Sequence, residues 1–298
     1  MLIHRRDWEP GPYGVDAALL LTPHSYPGGI DLHTDSVLLI GGDRRQTYLA
    51  RLLAEQYSVS ALRVPGFPDT AEDRGYEIVV LPCPAFFPDG RLRAEGETLP
   101  LNTLLSYADK NGTILGGGLS AHRSALERAC GRIVDLLEDE TVLLENAGLT
   151  AEAALALTLT ETGRALCRRR CLLLGWGRIA KRLGLLLRDC GAEVTVAARS
   201  EAARAEAGLY GFRTAAPSQV TPDSELVFNT VPARCLPETT LWGFSPDCVW
   251  VELASAPGGL PQGLRLPMRL LPANALPGRL VPRSAAEVLY RGIVKSLR

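Results

Sequence analysis

Cys171-Leu172-Leu173-Leu174-Gly175-Trp176-Gly177-Arg178-Ile179-Ala180 decides how the second half of this 298-residue chain folds. Its opening apolar run suits a strand buried on both faces of a parallel sheet. Gly175 then permits a tight turn, Gly177 lets another group approach the backbone closely, and Ala180 keeps the contact between the next helix and the strand small. The amides at that helix N-terminus face outward and favour an anion. A glycine turn placed between strand and helix in this order points to a dinucleotide diphosphate. We therefore expect Gly175, Trp176, Gly177, Arg178 and Ile179 to line the cofactor.

The following strand, Glu193–Ala197, ends in Ala198-Arg199-Ser200. An NAD site places a carboxylate here, about twenty residues beyond the glycine turn, to accept from the ribose 2′-hydroxyl. A guanidinium and a hydroxyl suit a 2′-phosphate instead, through charge-assisted hydrogen bonds. NADP(H) is the cofactor expected of Arg199 and Ser200, with NAD(H) still possible.

Working outward, the same βα alternation extends back to Val37-Leu38-Leu39-Ile40, where Asp43 can cap a helix over Arg44–Gln56. Strands are expected at Ser58–Val64, Glu77–Leu81, Gly112–Leu115, Ile133–Leu136 and Val142–Leu144, with helices near Leu101–Lys110 and Ser120–Ala129. Thr150-Ala151-Glu152-Ala153 predicts the start of a long helix reaching about Arg168. Beyond the quoted stretch come strands at Leu226–Asn229, Val249–Leu253 and Met268–Leu271. The pattern predicts an α/β protein of two Rossmann-like, doubly wound parallel-sheet domains joined by a hinge helix, as in D-2-hydroxyacid dehydrogenases. The expected divisions are an irregular arm (1–36), a substrate domain (37–149) and an NADP-binding domain (150–283). A last helix, 284–297, is expected to pack back on the first domain, and a ligand cleft between the two.

Composition narrows the function classes. With 46% hydrophobic and 22% charged residues, both domains can bury a core. The 32 basic and 33 acidic residues leave a net charge of -1, which offers no broad attraction for nucleic acid or an anionic membrane. Seven cysteines form no CxxC pair, and three of the four histidines (4, 24, 33 and 122) precede the first strand. That leaves little material for a metal site or a Ser-His-Asp triad, and none is expected. The N-terminus lacks a leader's apolar segment, no membrane-length apolar run is apparent, and a cytoplasmic location is expected.

Further segments fall in a telling order: Gly41-Gly42-Asp43-Arg44-Arg45-Gln46, Asn146 with Thr150-Ala151-Glu152, Gly175–Ala180, Ala198-Arg199-Ser200, Asn229-Thr230-Val231-Pro232, Leu253-Ala254-Ser255-Ala256-Pro257-Gly258-Gly259, Ala275-Leu276-Pro277-Gly278-Arg279, and Pro282-Arg283-Ser284-Ala285. Together they resemble the A subunit of dipicolinate synthase of spore-forming bacteria, over about residues 37 to 297. The resemblance implies NAD(P)-dependent oxidation of a dihydrodipicolinate-type ring, a branch from the lysine pathway, to pyridine-2,6-dicarboxylate. It also implies a flavoprotein-like B subunit for a partner, and a homo-oligomer is expected. The chain departs from the pattern in its extra arm, in Arg283 where Lys is expected, in Ala286 for Gly and in Glu252 for Asp.

A small dicarboxylate needs fixed donors and a place against the nicotinamide. Arg45, at the mouth of the first sheet, is the candidate for a substrate carboxylate, and an ordinary solvated helix residue is the alternative. Asn229, Thr230 and Pro232 follow a cofactor-domain strand and are expected near the nicotinamide ribose, with Ser255 on the neighbouring loop; plain turns would explain the same residues. Asn146, Thr150 and Glu152 are expected to face the cleft, Glu152 as proton acceptor, unless Thr150 and Glu152 only cap the helix. Another NADP-dependent dehydrogenase of a small acid, or a non-catalytic NADP-binding sensor, remain open alternatives.

Overall fold

The computed structural model describes residues 36–94, 99–261, 263 and 265–298, so the expected arm lies outside the described residues apart from Ser36. The chain divides into two compact units, Met1–Val134 and Asp135–Arg298.

In the first unit, β1 (Ser36–Ile40), β2 (Ser58–Leu62), β3 (Tyr76–Val80), β4 (Ala108–Gly116) and β5 (Arg132–Asp135) form one sheet in the order β2-β1-β3-β4-β5. Its β1–β2, β1–β3 and β3–β4 pairings are parallel. Val37 to Ile40 are fully buried, as the unbroken apolar run requires. The helix α1 (Arg44–Leu53) covers the sheet with Leu49, Ala50 and Leu53, and α2 (Leu101–Tyr107) and the single turn α3 (Arg123–Leu126) are shorter than expected. Lys110 is strand rather than helix, because β4 already starts at Ala108.

The second unit contains α4 (Glu140–Thr162), β6 (Arg170–Leu174), α5 (Arg178–Asp189), β7 (Glu193–Ala197), α6 (Glu201–Leu209), β8 (Arg213–Ala215), β9 (Leu226–Asn229), α7 (Glu238–Gly243), β10 (Val249–Glu252), β11 (Arg269–Pro272), α8 (Leu276–Leu280) and α9 (Pro282–Leu297). The strand order β11-β10-β9-β6-β7-β8 is that of a six-stranded dinucleotide-binding sheet. The order in which the chain visits its strands reverses between β6 and β9, so the loops after these two strands flank the switch point where such sheets bind ligands.

The helices that flank this sheet depart from several expectations. The hinge helix starts at Glu140, not near Thr150, with Asp139 accepting from the Thr141 amide as its cap, and it stops at Gly163 in the left-handed conformation (φ 63°). Val142–Leu144 is therefore helix rather than strand: a three-residue apolar run carries no period of its own. The division between the two units precedes α4, and residues 149 and 150 both lie within that helix. The last helix, expected to pack back on the first domain, lies in the second unit against α4, where a side chain at Gly292 would meet Val142 at 2.8 Å. Finally, against the expectation of no such run, α4 is long and apolar enough to cross a membrane by length and composition. It is instead a core helix: Ala151, Ala153, Ala154 and Leu157 are buried with α5 and the sheet.

Candidate functional site

The turn between β6 and α5 is shaped by what it must avoid. Gly175 has φ 94°, and a side chain there would meet Thr230 Oγ1 at 2.7 Å and Val231 Cγ2 at 2.9 Å. The turn therefore needs glycine for its backbone and for its neighbour alike. Gly177 is different: it is extended (φ -89°, ψ -172°), and a side chain on it would meet no described residue within 4 Å. None of the described residues demands a glycine at 177. The open space in front of it is what a diphosphate approaching the backbone would require. Gly177 is the N-cap of α5, and no side chain caps that helix, so its first-turn amides have no partner within the helix.

The loop after β9 closes over this turn. The Thr230 amide and hydroxyl both donate to the Leu174 carbonyl, at 3.1 and 2.7 Å, and bridge the two strands of the switch point. Asn229, expected to reach the cofactor, is fully buried and spent on the protein. Its Nδ2 donates to Val231 O (3.0 Å) and Glu252 Oε1 (2.6 Å), while its Oδ1 accepts from the Val231 amide (3.1 Å). It builds the loop rather than touching a ligand. Pro232 and Ser255 are exposed on the two neighbouring loops.

Glu252 is the residue whose role in this site the sequence did not reveal. Its carboxylate accepts from Asn229, from Trp250 Nε1 (3.0 Å), and from the amides of Ala254 (3.2 Å) and Gly259 (3.1 Å). One anion thus ties β9, β10 and both ends of the Ser255–Gly258 turn together. Gly259 has to be glycine beside it, since a side chain there would meet Asn229 Nδ2 at 2.5 Å.

At the end of β7, Arg199 and Ser200 are exposed. Ser200 caps α6, its hydroxyl accepting from the Ala203 amide at 3.4 Å. The Arg199 guanidinium has no ion-pair partner among the described residues. Burial pushes the Cys235 thiol up while the Arg199 charge pulls it the other way, which places that charge beside the loop after β9. With an open turn and an uncapped helix at the switch point, the residues fit the diphosphate of a dinucleotide.

Other expected contacts are redirected. Ile179 is half-buried against the core, and Trp176 turns its ring into it, 8% exposed and edge-on to Tyr210 and Phe212 at 5.9 and 5.4 Å. At the turn Trp176 therefore presents chiefly its backbone. Arg178 is bound by Glu140 through two contacts of 2.8 and 2.6 Å, and that hydrogen bonding holds the Glu140 carboxyl below the usual carboxylate range. Glu152 is exposed on α4 and pairs with Arg182 of α5 at 3.5 Å. Thr150 is buried mid-helix, its hydroxyl donating to the Asn146 carbonyl at 2.8 Å, so it caps nothing; Asn146 is half-buried. A groove of about 700 Å³ beside the turn is lined by Gly177, Trp176, Arg178, Lys181, Glu140 and Tyr210. A second cavity, about 180 Å³ among Arg169, Glu225, Asp247 and Arg269, opens where the strands begin, the wrong edge of the sheet for a ligand of this kind.

Arg45 belongs to the first unit. Its Nε and Nη2 clasp the Asp43 carboxylate at 2.8 to 3.1 Å, and its own amide donates to the same carboxylate at 3.0 Å. Burial works to raise the Asp43 carboxyl, but hydrogen bonds and charge from Arg45, with the charge of Arg93, hold it below the usual range. Beneath the turn, Gln46 is 2% exposed, and both its polar side-chain atoms lack a partner among the described residues.

No family model matches the chain. It is 27% identical over 282 residues to the A subunit of dipicolinate synthase from Bacillus subtilis, covering 88% of this chain and 95% of that protein. Crystal structures of the dipicolinate synthase A subunit from Bacillus subtilis and Bacillus halodurans share its fold, with TM-scores of 0.73 and 0.76 at 24% and 21% identity. Each covers 89% of this chain, and the alignments span 96% and 98% of those structures. L-alanine dehydrogenase has the fold as well, at a TM-score of 0.58 and 12% identity over 87% of this chain and 88% of that one. The resemblance drawn from scattered motifs thus holds along most of the sequence and in the fold, and the chain is similar to the A subunit of dipicolinate synthase in both.

Proposed function

We propose that this chain is an NADP(H)-dependent oxidoreductase that converts a dihydrodipicolinate-type diacid to pyridine-2,6-dicarboxylate. The observation that carries the reading is Gly177, a helix cap with no capping side chain and empty space in front of it, at the switch point of a six-stranded dinucleotide sheet. When bound, the nicotinamide supplies the hydride acceptor that aromatisation of such a ring requires.

The chain's own residues hold and orient. The amides of residues 177 to 180 receive the diphosphate, Arg199 receives the 2′-phosphate with Ser200 beside it, and the Glu252-braced loop carrying Ser255 offers backbone to the nicotinamide. Arg45 keeps Nη1 free of Asp43 and takes one substrate carboxylate there. Partnership with a flavoprotein-like B subunit is supported by the similarity to one subunit of a synthase, and a homo-oligomeric state and a cytoplasmic setting complete the proposal.

Titrating the full chain with NADP⁺ and NAD⁺, then adding dihydrodipicolinate generated in situ, tests it. We expect NADP⁺ to bind at least tenfold tighter than NAD⁺, and NADPH to form together with pyridine-dicarboxylate absorbance. Failure to bind either dinucleotide would overturn the cofactor reading. Binding without turnover of the diacid, with and without a B subunit, would favour a sensor over an enzyme; Glu152, the expected proton acceptor, is held by Arg182.

A further inference from the structure

We propose that Arg204 sets the selectivity of the cofactor site for a phosphate-bearing dinucleotide, acting on the backbone rather than on the sugar; the inference rests on the second unit holding NADP(H). Arg204 lies one helical turn past the cap Ser200, and its amide donates to the Ser200 carbonyl at 3.2 Å. From there Nη1 reaches back and donates to two consecutive carbonyls, Ala198 O and Arg199 O, each at 2.8 Å.

These two oxygens belong to the residues just past β7, where the adenosine ribose of a bound dinucleotide arrives. Bare, they would be negative poles that accept a hydrogen bond from a ribose 2′-hydroxyl and repel a 2′-phosphate. With Arg204 already donating to both, each keeps only part of its accepting capacity and lies beside a positive charge, so the pair holds a hydroxyl less well and repels a phosphate less. The same contact fixes the backbone from which the unpaired Arg199 side chain projects, and it adds a second positive charge to one rim of the site. Glu201, exposed in the first turn of α6, is the opposing carboxylate nearby in sequence, which makes the second cation more consequential. One half-buried side chain therefore does two things that point the same way: it weakens acceptors suited to NAD and steadies a donor suited to NADP. Arg204 is a positioning residue, and the spacing of Ser200 and Arg204 on one helix face is the signal that marks it.

The test is dinucleotide affinity measured on the full chain by calorimetry for wild type, R204M and R204K, with circular dichroism melting as a folding control. R204M should weaken NADP⁺ about tenfold or more while leaving NAD⁺ within about threefold, so the selectivity ratio falls by about a decade. R204K, which keeps one donor and the charge, should recover part of the ratio. Equal loss of both dinucleotides in R204M, or no loss of either, would overturn the role of Arg204 and leave the NADP(H) reading standing. Failure of the wild type to bind NADP⁺ would overturn that reading itself. Should R204M melt early, the ratio measured on R204K decides the matter, because global loosening moves both affinities together.

Discussion

The chain builds the same device twice and uses it differently. In each unit an apolar strand runs into a glycine turn and then an α-helix, after Ile40 in one and after Leu174 in the other. In the first, Asp43 stands at the helix N-terminus and Arg45 locks it there. In the second, Gly177 occupies the equivalent position and leaves the helix end bare. A carboxylate supplied by the sequence fills in the first unit the place that the second leaves open, where an anion would be favoured. Strand, glycine turn and helix are thus shared, and a single residue type at the cap separates a closed helix end from an open one.

The sharpest way to break this comparison is at the glycine both function and fold require. Gly175→Val forces a side chain into Thr230 and Val231 at a positive φ, and should destabilise the second unit by about 3 kcal/mol, seen as an earlier thermal midpoint. An unchanged midpoint would show that the turn relaxes. Gly177→Asp converts the second turn into a copy of the first. Its melting temperature should hold or rise, while NADP⁺ affinity falls about a hundredfold, on the order of 3 kcal/mol. A folded variant that still binds normally would place the diphosphate elsewhere.

Arg199→Ala should weaken NADP⁺ by roughly one to two decades, about 1.5–3 kcal/mol, and leave NAD⁺ nearly untouched. The reciprocal change, Asp43→Ala, should cost about 1 kcal/mol of stability as a lost cap, the ion pair adding little because the Asp43 side chain is 42% exposed, and dinucleotide affinity should not move. The smallest effect is in pH. The Asp43 carboxyl is depressed in the folded protein, so its stabilisation is fully present above the ordinary carboxylate range and is lost as pH falls through the depressed value. Urea midpoints below about pH 4 should fall less steeply for Asp43→Asn than for wild type, and parallel slopes would remove Asp43 from acid unfolding.

The alternation of buried strands and helices was legible because runs such as Val37–Ile40 and Cys171–Leu174 carry their burial in composition. The true start of α4 was not, because Asp139 caps it from within a stretch of mixed signals and Val142–Leu144 suits strand or helix equally well. At the site, the glycines and Arg199 announced themselves by spacing. Asn229 misled, since an amide suited to holding a ligand is equally suited to folding its own loop, and only its full burial and its three bonds within the protein distinguish the two. Glu252 works through an amide side chain on another strand, an indole and two backbone amides, a set that leaves no periodic trace, and Arg204 leaves only its four-residue spacing from Ser200.

Glu252 also has a thermodynamic consequence. Since a single carboxylate already joins the loops after β9 and β10, a molecule settling on that face finds them arranged and surrenders little conformational entropy on their behalf. The heat capacity change on dinucleotide association should therefore reflect the apolar area covered, without the larger negative component that accompanies folding of a segment on contact.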